Sequence, residues 1–175
     1  MMESRKETSR LVLLALLTAL AIVLHYIETL IPVPYVMPGA KLGLANVVAL
    51  YVVLEQGTTS ALTVSALRTV IGSLLSGTFL SVTFVLSFSG AMLSTAVMAA
   101  AFYRGRHSFS ITGLSIAGAT AHNIGQLLAA AFIVRQAGVF FYLPYLLVFA
   151  LPTGFFVGLV VTRLPRSTKS HATHE

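Results

Sequence analysis

Hydrophobic residues fall in six runs along the chain, at 11–31, 42–54, 60–76, 79–102, 111–134 and 139–162. Short polar, basic or Pro/Gly-rich segments separate them. None of the runs shows the period-two alternation of a half-buried strand, and most exceed the length of a buried core strand. At about 1.5 Å per residue, a helix of roughly 20 residues crosses a hydrocarbon layer of roughly 30 Å. The pattern predicts an all-α, polytopic bundle of six transmembrane helices, with the second run the shortest. Four crossings would result if that run were re-entrant and the third merged with a neighbour. The predicted organisation is a polar N-terminal segment at 1–10, a six-helix domain at 11–162 and a basic tail at 163–175. Pro144 and Pro152 are expected to kink the sixth helix.

Composition supports the membrane reading. Hydrophobic residues make up 57% of the chain and charged ones 9%, against roughly a quarter charged in soluble domains. The mean hydropathy is +0.90. A basic start precedes Ala19-Leu20-Ala21, as a cleaved leader would have, but the apolar stretch continues past it to the Pro32/Pro34 turn, so the first run is expected to stay as a helix. Without cysteine, disulfides and thiolate chemistry are excluded. The net charge of +6 sits largely between and beyond the apolar runs, which is an orientation signal and not a nucleic-acid face. With the N-terminus inside, the inner segments hold Arg5, Lys6, Arg10, Arg104, Arg106, Arg163, Arg166 and Lys169, and the outer ones only Lys41 and Arg135. This asymmetry places both termini in the cytoplasm.

Against this background the polar residues inside the runs carry the chemistry. Arg68 lies near the middle of the third run, where a cation costs a few kcal/mol unless it faces protein or water. Ser65, Thr69, Gly72 and Ser76 lie near it at helical spacing and form a small, polar face. Two roles stay open for Arg68: an ion pair with Glu28 or Glu55, or a contact to a ligand. In the fifth run His122, Asn123 and Gln126 share one broad helical face. They serve either as interhelical hydrogen-bonding glue or as a pocket wall. Haem ligation by His25 and His122 is a further option without a supporting pattern. Lys41, at the lip of the second run after a Pro34–Pro38 turn, and Asn46, about one turn deeper, complete the polar set. With alternating helix directions, all of these fall in the outward half. They predict an outward-facing cavity, rich in cations and amides, for an anionic or multi-acceptor solute. His25 and Glu28 either join its lining or pair with each other.

Other features bear on partners and mechanism. Ala15 and Ala19 in the first run, and Gly154 and Gly158 in the sixth, form small-xxx-small steps that permit close helix approach. There is no phosphate-binding Gly-x4-Gly-Lys-Ser/Thr loop. The absence of aspartate removes the carboxylate cluster that magnesium–diphosphate chemistry needs. No enzymatic activity and no cofactor are therefore expected of this chain. A small binder driven by other subunits fits better than an ion-coupled carrier built from repeats.

Three stretches carry a family resemblance: 34–50, with Pro38-Gly39-Ala40-Lys41-Leu42-Gly43-Leu44-Ala45-Asn46; 67–77, Leu67-Arg68-Thr69-Val70-Ile71-Gly72-Ser73-Leu74-Leu75-Ser76-Gly77; and 118–127, with His122-Asn123-Ile124-Gly125-Gln126-Leu127. Together they resemble the Gx transporter family, also labelled heptaprenyl diphosphate synthase component I, over nearly the whole membrane portion. That family is similar to the substrate-binding (S) components of energy-coupling factor transporters. The resemblance implies a six-helix capture protein in a bacterial plasma membrane, docked on a transmembrane coupling subunit and two ATPases. With the polar residues read above, the solute is expected to be held by Lys41, Asn46, Arg68, His122, Asn123 and Gln126. The resemblance also assigns Ala15 and Ala19 to the contact with the coupling subunit. The alternative that the label implies is a non-catalytic accessory subunit of a prenyl diphosphate synthase.

Overall fold

In the computed structural model, residues 2–30, 43–105 and 109–165 are described. They form six α-helices: α1 (Met2–Leu30), α2 (Leu44–Gln56), α3 (Thr58–Leu75), α4 (Val82–Arg104), α5 (Ile111–Val134) and α6 (Leu143–Arg163). A 3₁₀ segment, Ala137–Tyr142, leads into α6. No strand occurs among the described residues, and the chain is an all-helical membrane bundle. Five of its helical segments are long and apolar enough to cross a bilayer. The exception, α2, has 13 residues, which is roughly 20 Å of helix.

The short helix is the centre of the molecule. Ala45, Asn46, Val48, Ala49, Leu50, Val52, Val53 and Leu54 of α2 are all buried. On one side Val48, Val52 and Val53 pack with Ala21 of α1, Ala61 and Val64 of α3, and Ala99 of α4. On another, Ala49, Leu50 and Leu54 pack with Met98 of α4, Leu114 of α5 and Val161 of α6. A helix enclosed by protein need not match the bilayer thickness, because its ends meet other helices and not lipid. Gly57, at φ 89°, is the single residue between α2 and α3; that conformation favours glycine.

The helix ends differ from expectation at two places. The polar residues before position 11 continue α1 instead of preceding it, since Glu, Lys and Arg are good helix formers. Arg10 there donates to the Gln56 carbonyl (3.3 Å) and to Ser60 Oγ (3.0 Å), tying α1 to the α2–α3 junction. Pro144 sits in the first turn of α6 and Pro152 inside it. Pro144 is therefore no kink, because a first-turn residue has no intrahelical N–H bond to lose.

Glycines set how closely the helices approach. A Cβ at Gly125 would lie 2.8 Å from the Ser89 carbonyl oxygen, so α4 and α5 touch through backbone. Gly154 and Gly158 are similarly tight against Ile116 and Thr112, within 2.7 Å and 2.6 Å of their Cα atoms. The glycine step of α6 is thus spent on internal packing against α5. The alanine step of α1 is not. The buried side of α1 is the stripe Thr18, Ala21, His25 and Glu28, whereas Ala15 and Ala19 are exposed on another face.

Candidate functional site

Beside the apolar clusters around α2, a set of polar side chains turns into the bundle, and the outer surface is apolar. Arg68 is 3% exposed, and Asn46, His122, Asn123 and Gln126 are all buried. Leu16, Val23, Phe132 and Phe156 face outward. This follows from the surroundings: lipid accepts alkyl and aromatic groups freely but gives charges and amides no partners.

Every α-helix contributes to one cavity. His25 and Glu28 come from α1, Asn46 from α2, Arg68 and Thr69 from α3, Ser87 from α4, His122 and Asn123 from α5, and Leu146, Phe149 and Thr153 from α6. Gly43, just before α2, also lines it. These positions lie near the C-terminal end of α1, near the middles of α3 and α5, in the first turns of α2 and α4, and from the first turn to the middle of α6. The cavity volume is about 30 Å³.

Hydrogen bonds hold several walls in place. Arg68 donates from a terminal guanidinium nitrogen to Asn46 Oδ1 at 3.0 Å, joining α3 to α2. Glu28 Oε1 accepts the Leu44 backbone N–H at 2.9 Å. One of the N–H groups that a helix start leaves unpaired is thereby satisfied, and α1 is joined to α2. Asn123 Nδ2 donates to the Leu146 carbonyl at 2.8 Å and clasps α5 to the first turns of α6. Thr69 Oγ1 donates to the Ser65 carbonyl at 2.6 Å, and Ser65 and Thr95 share a hydroxyl bond of 2.8 Å that links α3 to α4. The Nε–H of Arg68 and the Oε1 of Gln126 are buried without a hydrogen-bond partner.

The residues singled out from the sequence divide into three groups. Asn46, Arg68, His122 and Asn123 line the cavity together, joined by His25 and Glu28. Gln126 does not line it: one turn further along α5, it packs against Gly90 of α4, its Cγ 2.9 Å from where a Cβ there would lie. Lys41 lies outside the described residues. Sequence reasoning missed Ser87, Phe149 and Thr153 as wall residues. A serine, a phenylalanine and a threonine in apolar helices carry no signal of which way they face. Of the two roles left open for Arg68, its direct partner is the Asn46 amide, and Glu28 faces the same cavity. Among the described residues no three histidine or acidic side chains are grouped to hold a metal ion.

His25 reaches the cavity only because Gly72 leaves room. A Cβ at Gly72 would lie 2.6 Å from His25 Cδ2. Gly72→Ala is expected to displace the imidazole or part α1 from α3, at a cost of about 1–3 kcal/mol. Thermal unfolding in detergent checks this; an unchanged midpoint would show that the contact is slack.

No curated protein and no solved structure matches the chain. A family model described as heptaprenyl diphosphate synthase component I matches residues 17–164, from the middle of α1 to just beyond the end of α6, and so spans every described cavity residue. The chain belongs to the heptaprenyl diphosphate synthase component I family.

Proposed function

We propose that this protein is the solute-capturing membrane component of an ATP-driven uptake system of the energy-coupling factor type. It takes up a small, anionic or polar, cofactor-like molecule across a bacterial plasma membrane. The observation that carries the reading is the convergence of costly hydrophilic side chains from six helices on one cavity. Several of these groups do bond from helix to helix, but glue alone does not require them to share one cavity. The arrangement here collects them between the middle of the bundle and one end, and the lysine–arginine asymmetry supports that end being the outer one. Asn46, Arg68, His122 and Asn123 are the proposed solute contacts, Lys41 is proposed with them from the sequence alone, and Gln126 is an indirect support.

Ligand pockets commonly have volumes of about 300–1,000 Å³. A cavity of about 30 Å³ therefore represents a closed form, and loading requires a wall to move. The α6 wall suits that movement. Pro152 interrupts its hydrogen-bond ladder, and the outer turns carry the Asn123 clasp.

The chain has no phosphate-binding loop, so the energy comes from partners: a transmembrane coupling subunit and ATPases that meet α1 at Ala15 and Ala19. Both alanines are exposed, outside the stripe that α1 buries. Ala15→Leu with Ala19→Leu is expected to leave the thermal midpoint nearly unchanged, within about 0.5 kcal/mol, while abolishing co-purification of the ATPases. Loss of folding instead would assign the step to internal packing.

The family's description favours a second reading, a non-catalytic membrane subunit working beside another component of a prenyl diphosphate synthase. Affinity purification from gently solubilised membranes separates the two. Coupling ATPases in the eluate support uptake, and a soluble prenyl synthase without ATPases overturns it.

A further inference from the structure

The charge on the cavity walls points to a narrower ligand class than its cationic residues alone suggest. The described walls carry one guanidinium, Arg68, and one carboxylate, Glu28. These two opposite charges cancel each other. An anion bound between these two groups would add a second negative charge beside Glu28 in a site enclosed by membrane helices, and uncompensated buried charge is strongly disfavoured. A diphosphate, with several charges, is disfavoured further.

Both groups also retain hydrogen-bonding capacity. Arg68 is 3% exposed and spends one terminal nitrogen on Asn46, while its Nε–H has no partner. A buried donor left unpaired is costly, so an acceptor supplied by a ligand is strongly favoured there. Glu28 spends Oε1 on the Leu44 N–H, and a carboxylate offers about four lone-pair sites across its two oxygens. It can therefore accept further donors. Leu146 and Phe149 give the same cavity an apolar side.

We infer that the solute is a small zwitterion, its monoanionic group held by Arg68 and its protonated amine by Glu28, with a short apolar middle against α6. The inference rests on the reading of this cavity as a solute site and not on the uptake step.

The test uses the full-length protein in lipid nanodiscs and four probes at matched ionic strength: β-alanine, propionate, propylamine and inorganic pyrophosphate. The first three share a three-carbon skeleton and differ in which ends are charged. A ligand that binds only the folded state raises the thermal midpoint by mass action. β-Alanine is expected to give the largest rise and pyrophosphate none. Arg68→Gln should weaken the apparent affinity for β-alanine by about tenfold or more, and Glu28→Gln should shift the preference toward propionate. Equal responses to all four probes, including no response, would overturn the assignment. So would a response to propionate or pyrophosphate as large as that to β-alanine. The ranking on the unaltered protein decides the matter even if a variant fails to fold. If the ranking holds while uptake fails, transport falls and the charge assignment stands; the reverse removes only the assignment.

Discussion

Valine at position 125 will separate α4 from α5 and leave little folded protein. A Cβ on Gly125 would lie 2.8 Å from the Ser89 carbonyl oxygen, 3.0 Å from Gly90 Cα and 3.2 Å from Gly90 N. All three atoms are backbone, so no rotamer change relieves the contact. The crowding is reciprocal, since a Cβ on Gly90 would come within 2.9 Å of the His122 carbonyl oxygen. Overpacking in a well-packed core costs about 1–3 kcal/mol, occasionally more. Gly125→Val belongs at or above the top of that range, because a β-branched side chain meets main chain and not a yielding side chain. Gly118→Ala is the matched comparison. Its Cβ would meet Met98 Sδ at 2.5 Å, but a thioether side chain has three rotatable bonds and can move aside. The expected result is a monodisperse Gly118→Ala protein with a modestly lowered thermal midpoint, and an aggregated or strongly destabilised Gly125→Val protein. Equal midpoints would show that the α4–α5 contact does not set the bundle's stability.

Arg68→Gln will weaken both solute retention and the fold, and Glu28→Gln in the same chain will restore only the fold. Arg68 and Glu28 are both buried and line one cavity. Losing the guanidinium removes the donor to Asn46 Oδ1 and leaves a carboxylate without its compensating charge. The expected destabilisation is about 1–3 kcal/mol. Neutralising Glu28 as well removes the excess charge, so the double variant should recover part of that loss, with a coupling of about 0.5–3 kcal/mol. Retention is expected to stay lost, since Arg68 is the proposed anchor of the solute. Unfolding midpoints of the four proteins, with native mass spectrometry of retained small molecules, check both halves. Strictly additive midpoints would show that the two charges do not compensate each other. Unchanged retention in Arg68→Gln would remove Arg68 from the site.

Much of this site was legible along the chain, for a reason specific to membranes. An arginine, a histidine or an asparagine in an apolar run has to turn away from lipid, so Arg68, Asn46, His122 and Asn123 announced themselves as interior. Gln126 obeyed the same rule but went to the α4 contact beside Gly90. Facing inward and facing a cavity are different conditions, and helical spacing reports only the first. Glu28 shows the converse. Pairing with His25 and joining the lining were equally compatible with its place on α1. The observed role, capping α2 while lining the same cavity as Arg68, depends on where α2 begins relative to α1.

Hydropathy and the distribution of lysine and arginine by themselves determined the membrane environment, the all-helical class, the helix spans to within a few residues apart from the start of α1, and which polar groups cannot meet lipid. These are properties of each segment against its solvent, so one segment suffices to read them. Only the tertiary structure decided that α2 is the enclosed centre, that the glycine step of α6 is used inside while the alanine step of α1 stays open, and that a carboxylate balances the arginine on a cavity of about 30 Å³. Those facts depend on the rotation and closeness of one helix against another. Backbone and side-chain contacts between distant parts of the chain set them, and no single segment encodes them.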